Sequence, residues 1–258
     1  MILRGEFERS LLDNLKVLTL CSLSEVFGHE ILDQVANIEK LMVCDGSLKE
    51  MLCCQSPNNV DYGGLLLQFK ELHLKSLGEL VSIGLENSWT KSFVKNLETF
   101  EVISCSSLKS LVACTVSFSN LTCLKVKGCD SLSYLFTSST AKSLGQLQRM
   151  EITYCESIEE IVCKEDVEGS EDEITFPQLC CLNLEGLWKL RRLYRGSLSF
   201  PSLEELSVTS CSEMITLCPG TLEADKLIQV ILQRSSKAIP LKTDLNSTMR
   251  KEFIKVRL

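Results

Sequence analysis

The run Leu121 to Phe136 reads LTCLKVKGCDSLSYLF, and Leu147 to Val162 reads LQRMEITYCESIEEIV. Superposed, they put apolar side chains at the same positions: Leu121 over Leu147, Leu124 over Met150, Val126 over Ile152, Cys129 over Cys155, Leu132 over Ile158 and Leu135 over Ile161. The shared template is L-x-x-L-x-V-x-x-C-x-x-L-x-x-L. Leu97 to Val112 and Leu203 to Leu217 fill it throughout, and copies from Phe69 and Leu179 put Leu77 and Leu187 where the Cys stands. Looser copies begin at Leu15 and at Ile38, the latter one residue short after Val43, and a truncated ninth, LIQVIL, begins at Leu227. Successive starts lie 23 to 32 residues apart. Self-similarity at such a period constrains the chain more than any composition does, because one copy is too small to hold a core of its own.

Within x-L-x-L-x the alternation has period 2, so the two Leu-type residues point one way and the three x residues the other. The inward set finds no core inside its own copy and leaves water only against the next one, which makes stacking compulsory. The period and the Leu spacing are those of leucine-rich repeats. The fold expected is an α/β repeat solenoid, a leucine-rich-repeat horseshoe with a parallel β-sheet on its concave face and irregular or short helical segments on its convex face. Residues 1–14 read as an incoming segment, a truncated repeat. Residues 15–232 read as a solenoid of about nine units, and residues 233–258 as a C-terminal tail with a capping helix that puts Leu245, Met249, Phe253 and Val256 on one face. Cys105, Cys129, Cys155 and Cys211 share one template position just after the strand, and a buried structural thiol is the expected role of each.

Other function classes fall away on composition and motif. Lys plus Arg number 27 against 34 Asp plus Glu, a formal net charge of -7, so no basic excess exists to neutralise a phosphate backbone. Nucleic acid is not expected as a partner. No run approaches the roughly 18 to 20 apolar residues of a membrane span, and Glu6 and Glu8 stand where an export signal would be apolar. A cytoplasmic protein is expected. The 14 Cys include no C-x-x-C pair, and the chain has 2 His, which excludes the usual zinc spacings. Phosphate loops, dinucleotide fingerprints, H-E-x-x-H and G-x-S-x-G do not occur. Neither enzymatic activity nor a cofactor or metal is expected, and His29 and His73 read as surface residues. The acidic stretch from Lys164 to Phe176 lacks the D-x-D-x-D-G spacing of a calcium loop and reads as a solvated surface insertion, like the stretch from Cys53 to Gly64.

What remains is a surface. The outward strand positions of successive copies form one array on the concave side, the side solenoids use for partners. Its candidate protein-binding residues are Glu71, His73 and Lys75; Thr99 and Glu101; Lys125 and Lys127; Arg149 and Glu151; Asn183 and Glu185; and Glu205. Lys125, Lys127 and Arg149 make a basic spot rimmed by Glu101, Glu151 and Glu185, suited to steering an acidic partner.

The string V-x-x-C-x-x-L-x-x-L, the FPQL and FPSL openings at Phe176 and Phe200, and the tail DLNSTMRKEF resemble the C-terminal leucine-rich repeats of plant intracellular disease-resistance proteins, those of the coiled-coil nucleotide-binding class. The resemblance runs from about Leu15 to Phe253. It implies a cytoplasmic sensor whose repeats detect a pathogen effector, or a host protein modified by one, and fold back to restrain the nucleotide-binding domain of the same receptor. The nucleotide-binding and coiled-coil parts of such receptors do not occur in this sequence. The alternative from another class is the substrate-recruiting subunit of a ubiquitin ligase, which also uses leucine-rich repeats.

Overall fold

A computed structural model describes residues 14–24, 35, 37–51, 68–84, 94–112, 116–165, 173–227, 229–232, 239–240, 245 and 247–248. In chain order the strands are β1 (Val17–Cys21), β2 (Lys40–Cys44), β3 (Glu71–Lys75), β4 (Thr99–Ile103), β5 (Cys123–Lys127), β6 (Phe136–Thr137), β7 (Arg149–Thr153) and β8 (Val162–Cys163). There follow β9 (Glu173–Thr175), β10 (Cys181–Glu185), β11 (Ser197–Ser199), β12 (Glu205–Thr209), β13 (Leu222–Glu223), β14 (Gln229–Leu232) and β15 (Ile239–Pro240), and a short helix, α1 (Ser138–Lys142), stands between β6 and β7. The template strands form a single sheet in the order β1-β2-β3-β4-β5-β7-β10-β12-β14-β15. Every pairing in it is parallel except the last, β14 with β15, which is antiparallel.

Register follows the template. Leu41, Leu72, Phe100, Leu124, Met150, Leu182 and Leu206 stand in one row, and Val43, Leu74, Val102, Val126, Ile152, Leu184 and Val208 in the next. All of them are buried. Each such side chain is worth about 1.5–3 kcal/mol when fully removed from water, and only the neighbouring repeat removes it. The second half of the template supplies the rest of the core: Leu108 and Leu111, Leu132 and Leu135, Ile158 and Ile161, Leu190 and Leu193, and Met214 and Leu217.

The residue after each strand turns the chain off the sheet with a left-handed backbone. It is Ser22, Asp45, Ser76, Ser104, Gly128, Tyr154, Gly186 or Ser210 in successive repeats, with φ between 53° and 64°. From Ser22 to Gly186 its N–H reaches the carbonyl that ends the following strand, at 2.7–3.0 Å, as Gly128 does to Thr153 and Tyr154 to Glu185. Small or short polar residues adopt this conformation readily; an aromatic does so at a cost of about 1–3 kcal/mol.

The Cys position follows at once. Cys105, Cys129, Cys155 and Cys211 are fully buried, and each thiol donates to the carbonyl two residues back, at 3.4–3.6 Å. Contact with Cys105 and burial push the Cys129 thiol up to about 12, and burial pushes Cys211 up to about 11. The Cys155 thiol moves in the same direction, through its contact with Cys129 and its burial. Cys105 moves the other way, lowered by its bond with Cys129; out of reach of solvent, all four thiols fasten the turn.

The convex side is more ordered than the template suggests. Beside α1 it carries short parallel ladders, β6 with β8 and β9-β11-β13. Phe100, Phe118 and Phe136 follow one another at 6.2 and 6.3 Å, and Phe176 stacks on Phe200 at 5.5 Å with ring planes 10° apart. Here lies the structural use of the two F-P-x-L openings: the Phe stacks, and its carbonyl accepts from the Leu three residues on. The acidic stretch from Lys164 is accordingly not wholly a solvated loop. Glu165 accepts from Ser138 Oγ, Ser139 Oγ and the Ser139 N–H at the start of α1, while Ile174 and Phe176 enter the core. Burial pushes the Glu165 carboxyl up, but the bonds from Ser139 and Ser138 outweigh it and hold the group below the usual range. Asp166, Glu168, Glu171 and Asp172, the stretch 53–64, His29, and most of the expected tail helix lie outside the described residues.

Candidate protein-recognition surface

The outward positions of the parallel strands are in register, so each side chain meets its counterpart one strand away. Whether it finds an opposite charge there decides what is left for a partner.

Over β2, β3 and β4 nearly every charge is met. Lys40 Nζ lies 2.8 Å from Glu71, and Lys75 Nζ lies 2.9 Å from Glu101. His73 sits between the two carboxylates, Nε2 at 3.0 Å from Glu71 and Nδ1 at 2.7 Å from Glu101. It is only 8% exposed, so the surface position expected from its outward direction is in fact closed over by its neighbours. A protonated ring donates to both carboxylates at once, a neutral ring to one. The bond from Lys40, then that from His73, holds the Glu71 carboxyl below its usual range. Burial pushes Glu101 the other way, but the bonds from Lys75 and His73 prevail and it too is lowered. Thr99 is half-buried beside this network.

In the middle of the sheet, Lys125 Nζ is 3.2 Å from Glu151. Lys127 Nζ lies over the Tyr154 ring, 5.6 Å from its centroid, and the Tyr154 hydroxyl donates to Glu185 Oε1 at 2.5 Å. The same ring covers Gly186, where a Cβ would come within 2.7 Å of Tyr154 Cδ1. Two of the three cations of the expected basic spot are therefore engaged within the sheet.

Arg149 is different. Its guanidinium donates to the Cys181 sulfur at 3.5 Å and has no carboxylate within ion-pair distance among the described residues. It stands at one end of an open trough of about 470 Å³ that crosses β7, β10, β12 and β14, lined also by Glu151, Asn183, Glu205, Ser207 and Ile231. The side chains of Asn183 and Ser207 make no hydrogen bond to any described residue. Burial pushes the Cys181 thiol up, so it is a neutral part of the wall. The trough can offer a guanidinium, an amide, a hydroxyl and carboxylates to an incoming polar chain, beside an apolar wall at Ile231.

Of the candidate residues, Arg149, Glu151, Asn183 and Glu205 come together around the trough. Glu71, His73, Lys75 and Glu101 come together in the network, and Lys125, Lys127 and Glu185 are occupied between them. Sequence reasoning missed Tyr154 and Ile231, and of Ser207 it gives only the outward direction. Tyr154 alone carried a signal: it is a bulky residue at a template position otherwise filled by Ser, Asp or Gly.

A curved stack of short parallel strands with a Leu-lined interior and a charged concave face is a leucine-rich-repeat solenoid. Residues 114–230 match the family model for plant disease resistance protein RPS2-like leucine-rich repeats. The probable disease resistance protein At4g14610 of Arabidopsis thaliana is 29% identical over 200 residues, covering 72% of this chain and 26% of the relative. The probable disease resistance protein At5g63020 of the same plant is 27% identical over 209 residues, covering 80% of this chain and 21% of the relative. The chain thus spans about a quarter or less of the length of these relatives. Among solved structures, the leucine-rich repeat domain of the type III effector XopL superposes with a TM-score of 0.50 at 14% identity, covering 84% of this chain and 76% of that one, a likeness of fold. The chain is a leucine-rich-repeat solenoid whose repeats are similar to those of plant disease resistance proteins. No helix among the described residues is long and apolar enough to cross a membrane.

Proposed function

We propose that this chain is the recognition module of a plant intracellular immune receptor and takes its protein partner in the trough over β7, β10, β12 and β14. The observation that supports this reading is the state of the polar groups there. Asn183 and Ser207 have no partner among the described residues and Arg149 has only a sulfur, whereas the charges over β2 to β4 satisfy one another. A group already paired must lose a bond before it can make one to a partner, and the exchange gains little. Groups open to solvent exchange a bond to water for one to the partner, a net gain of about 0.5–1.5 kcal/mol each.

In this reading the partner is a pathogen effector or a host protein altered by one, met in the cytoplasm. In the full receptor the repeats also fold back on the nucleotide-binding domain and restrain its switch until the partner is bound. Glu71, His73, Lys75, Thr99 and Glu101 act as a rigid flank that orients the partner, and the trough supplies the specific bonds. No catalytic group enters this function.

The test is Arg149→Glu combined with Asn183→Ala in the full-length receptor, co-expressed in leaves with its effector. Loss of effector-triggered cell death at unchanged protein level is the expected result. An undiminished response from the folded variant would remove recognition from this face.

A further inference from the structure

We propose that Cys21 and Cys44 are a thiol oxidation site, closing reversibly into a disulfide that joins the first two strands of the sheet. The two are register partners at the ends of β1 and β2, and their sulfurs lie 2.7 Å apart. A bond between them would be roughly 2.05 Å long. Neighbouring strands run about 4.7–4.9 Å apart, inside the roughly 4.4–6.8 Å window of Cα separations that disulfides span. Closure therefore asks for a rotation of side chains and no displacement of strands.

The pair is distinct from the other described cysteines. Cys105, Cys129, Cys155 and Cys211 are fully buried and bonded to carbonyls. Cys123 and Cys181 are outward and half-buried, but both are register partners of Arg149, which stands between them. Cys21 is exposed and Cys44 half-exposed, so an oxidant in solution can reach them.

The step balances with hydrogen peroxide as the oxidant. The Cys21 thiolate, steadied by the Cys44 S–H, attacks one peroxide oxygen; the O–O bond breaks, hydroxide leaves, and Cys21 becomes a sulfenic acid. Cys44 then attacks that sulfur, the S–O bond breaks, and the departing oxygen and the hydroxide take up the two thiol protons to leave as water. Two thiols lose two electrons, one peroxide gains them, and two waters form. Contact with Cys21 and burial raise the Cys44 thiol to about 11, which suits it to the resolving role. A dithiol reductant reverses the bond by exchange. Among the described residues β1 pairs with β2 alone, and the bond would join it to that neighbour. A covalent tie to β2 should slow local opening of β1. This inference stands apart from the reading of the trough.

The experiment treats the purified chain with hydrogen peroxide, alkylates it under denaturing conditions and maps the peptides without reduction. Expected are a Cys21–Cys44 linked peptide, a loss of two hydrogens in intact mass, two fewer alkylated thiols, and full recovery with dithiothreitol. Hydrogen exchange of the β1 amides should slow on oxidation in the wild type and stay unchanged in Cys21→Ser and Cys44→Ser, while Cys123→Ser behaves as wild type. The proposal is overturned if both thiols remain fully alkylated after peroxide. It is equally overturned if Cys21 ends as a sulfinic acid, or is linked to a different cysteine while Cys44 stays free. The wild-type map decides this without reliance on any variant folding.

Discussion

The concave face over β2 to β4 and the concave face over β7 to β14 are built on the same backbone and differ only in what projects from it. In the first, Lys40, Glu71, His73, Glu101 and Lys75 form an unbroken chain of contacts at 2.7–3.0 Å. In the second, Arg149 reaches only a sulfur and a trough of about 470 Å³ stays open. A repeat solenoid thus separates two requirements. The inward Leu and Val maintain the stack everywhere, and the outward positions are free to be spent on stiffness in one place and on recognition in another.

The severest way to break this comparison is to attack the shared core on either side of it. Leu74 lies under the network and Leu184 under the trough, both fully buried. An unpaired carboxylate at either position carries a desolvation penalty of several kcal/mol. Leu74→Asp and Leu184→Asp should each abolish the cooperative melting transition of the entire chain, followed by circular dichroism. If Leu74→Asp leaves the β10 amides protected from hydrogen exchange, the halves are separate folding units, and the contrast is one between domains.

A smaller effect is expected within the trough half, where β7 and β10 end. Gly186 has φ +64° and lies under the Tyr154 ring. Gly186→Ala should cost about 1–3 kcal/mol in denaturant unfolding, from the backbone and from displacing the ring. With Tyr154→Ser already in place only the backbone part, about 1 kcal/mol, should remain. Additive costs would mean that the ring is not seated on Gly186, and β7 and β10 would then lack this clasp.

The strands of the sheet could be read from the sequence residue by residue, since burial on one face imposes period 2 and stacking imposes register. Val17–Cys21 and Glu205–Thr209 lie where the apolar alternation puts them. The use of each outward residue could not be read in the same way. That His73 is buried depends on Glu71 beside it and on Glu101, a register partner 28 residues away, and on both folding over it. That Lys125 and Lys127 are engaged depends on rotamers toward Glu151 and Tyr154. Nor does a Leu template foresee ladders such as β9-β11-β13, which arise from segments outside it. One-dimensional patterns report the side chains that must be hidden, and leave unstated which exposed ones pair.

The network can be titrated. Folding holds the Glu71 and Glu101 carboxyls below the ordinary value of 4.5, so the unfolded chain binds more protons in that range. Their contribution is complete above about pH 5 and is lost as the pH falls through the folded values. In Glu101→Gln that acid-dependent loss should shrink by about 1 kcal/mol, a partly exposed pair being worth no more. Urea midpoints of the wild type and the variant between neutral pH and about pH 3 measure it. An identical pH dependence in both would mean that the network carries no net stabilisation and that the flank is no stiffer than the trough.

The smallest effect carries the sharpest distinction. Asn183 makes no side-chain bond to a described residue, so Asn183→Ala removes nothing that the folded chain uses and should change its stability by less than about 0.5 kcal/mol. His73→Ala removes the group that separates and bridges two carboxylates, and should cost about 1–3 kcal/mol because each then loses one bond and keeps only its lysine. The asymmetry should reverse in partner binding, where the amide is free to form bonds and the imidazole is already committed. Thermal melts of the two variants side by side check the first half of this statement. If Asn183→Ala destabilises the chain as much as His73→Ala does, the amide belongs to the scaffold, the trough is as closed as the network, and the recognition surface must be sought off the concave face.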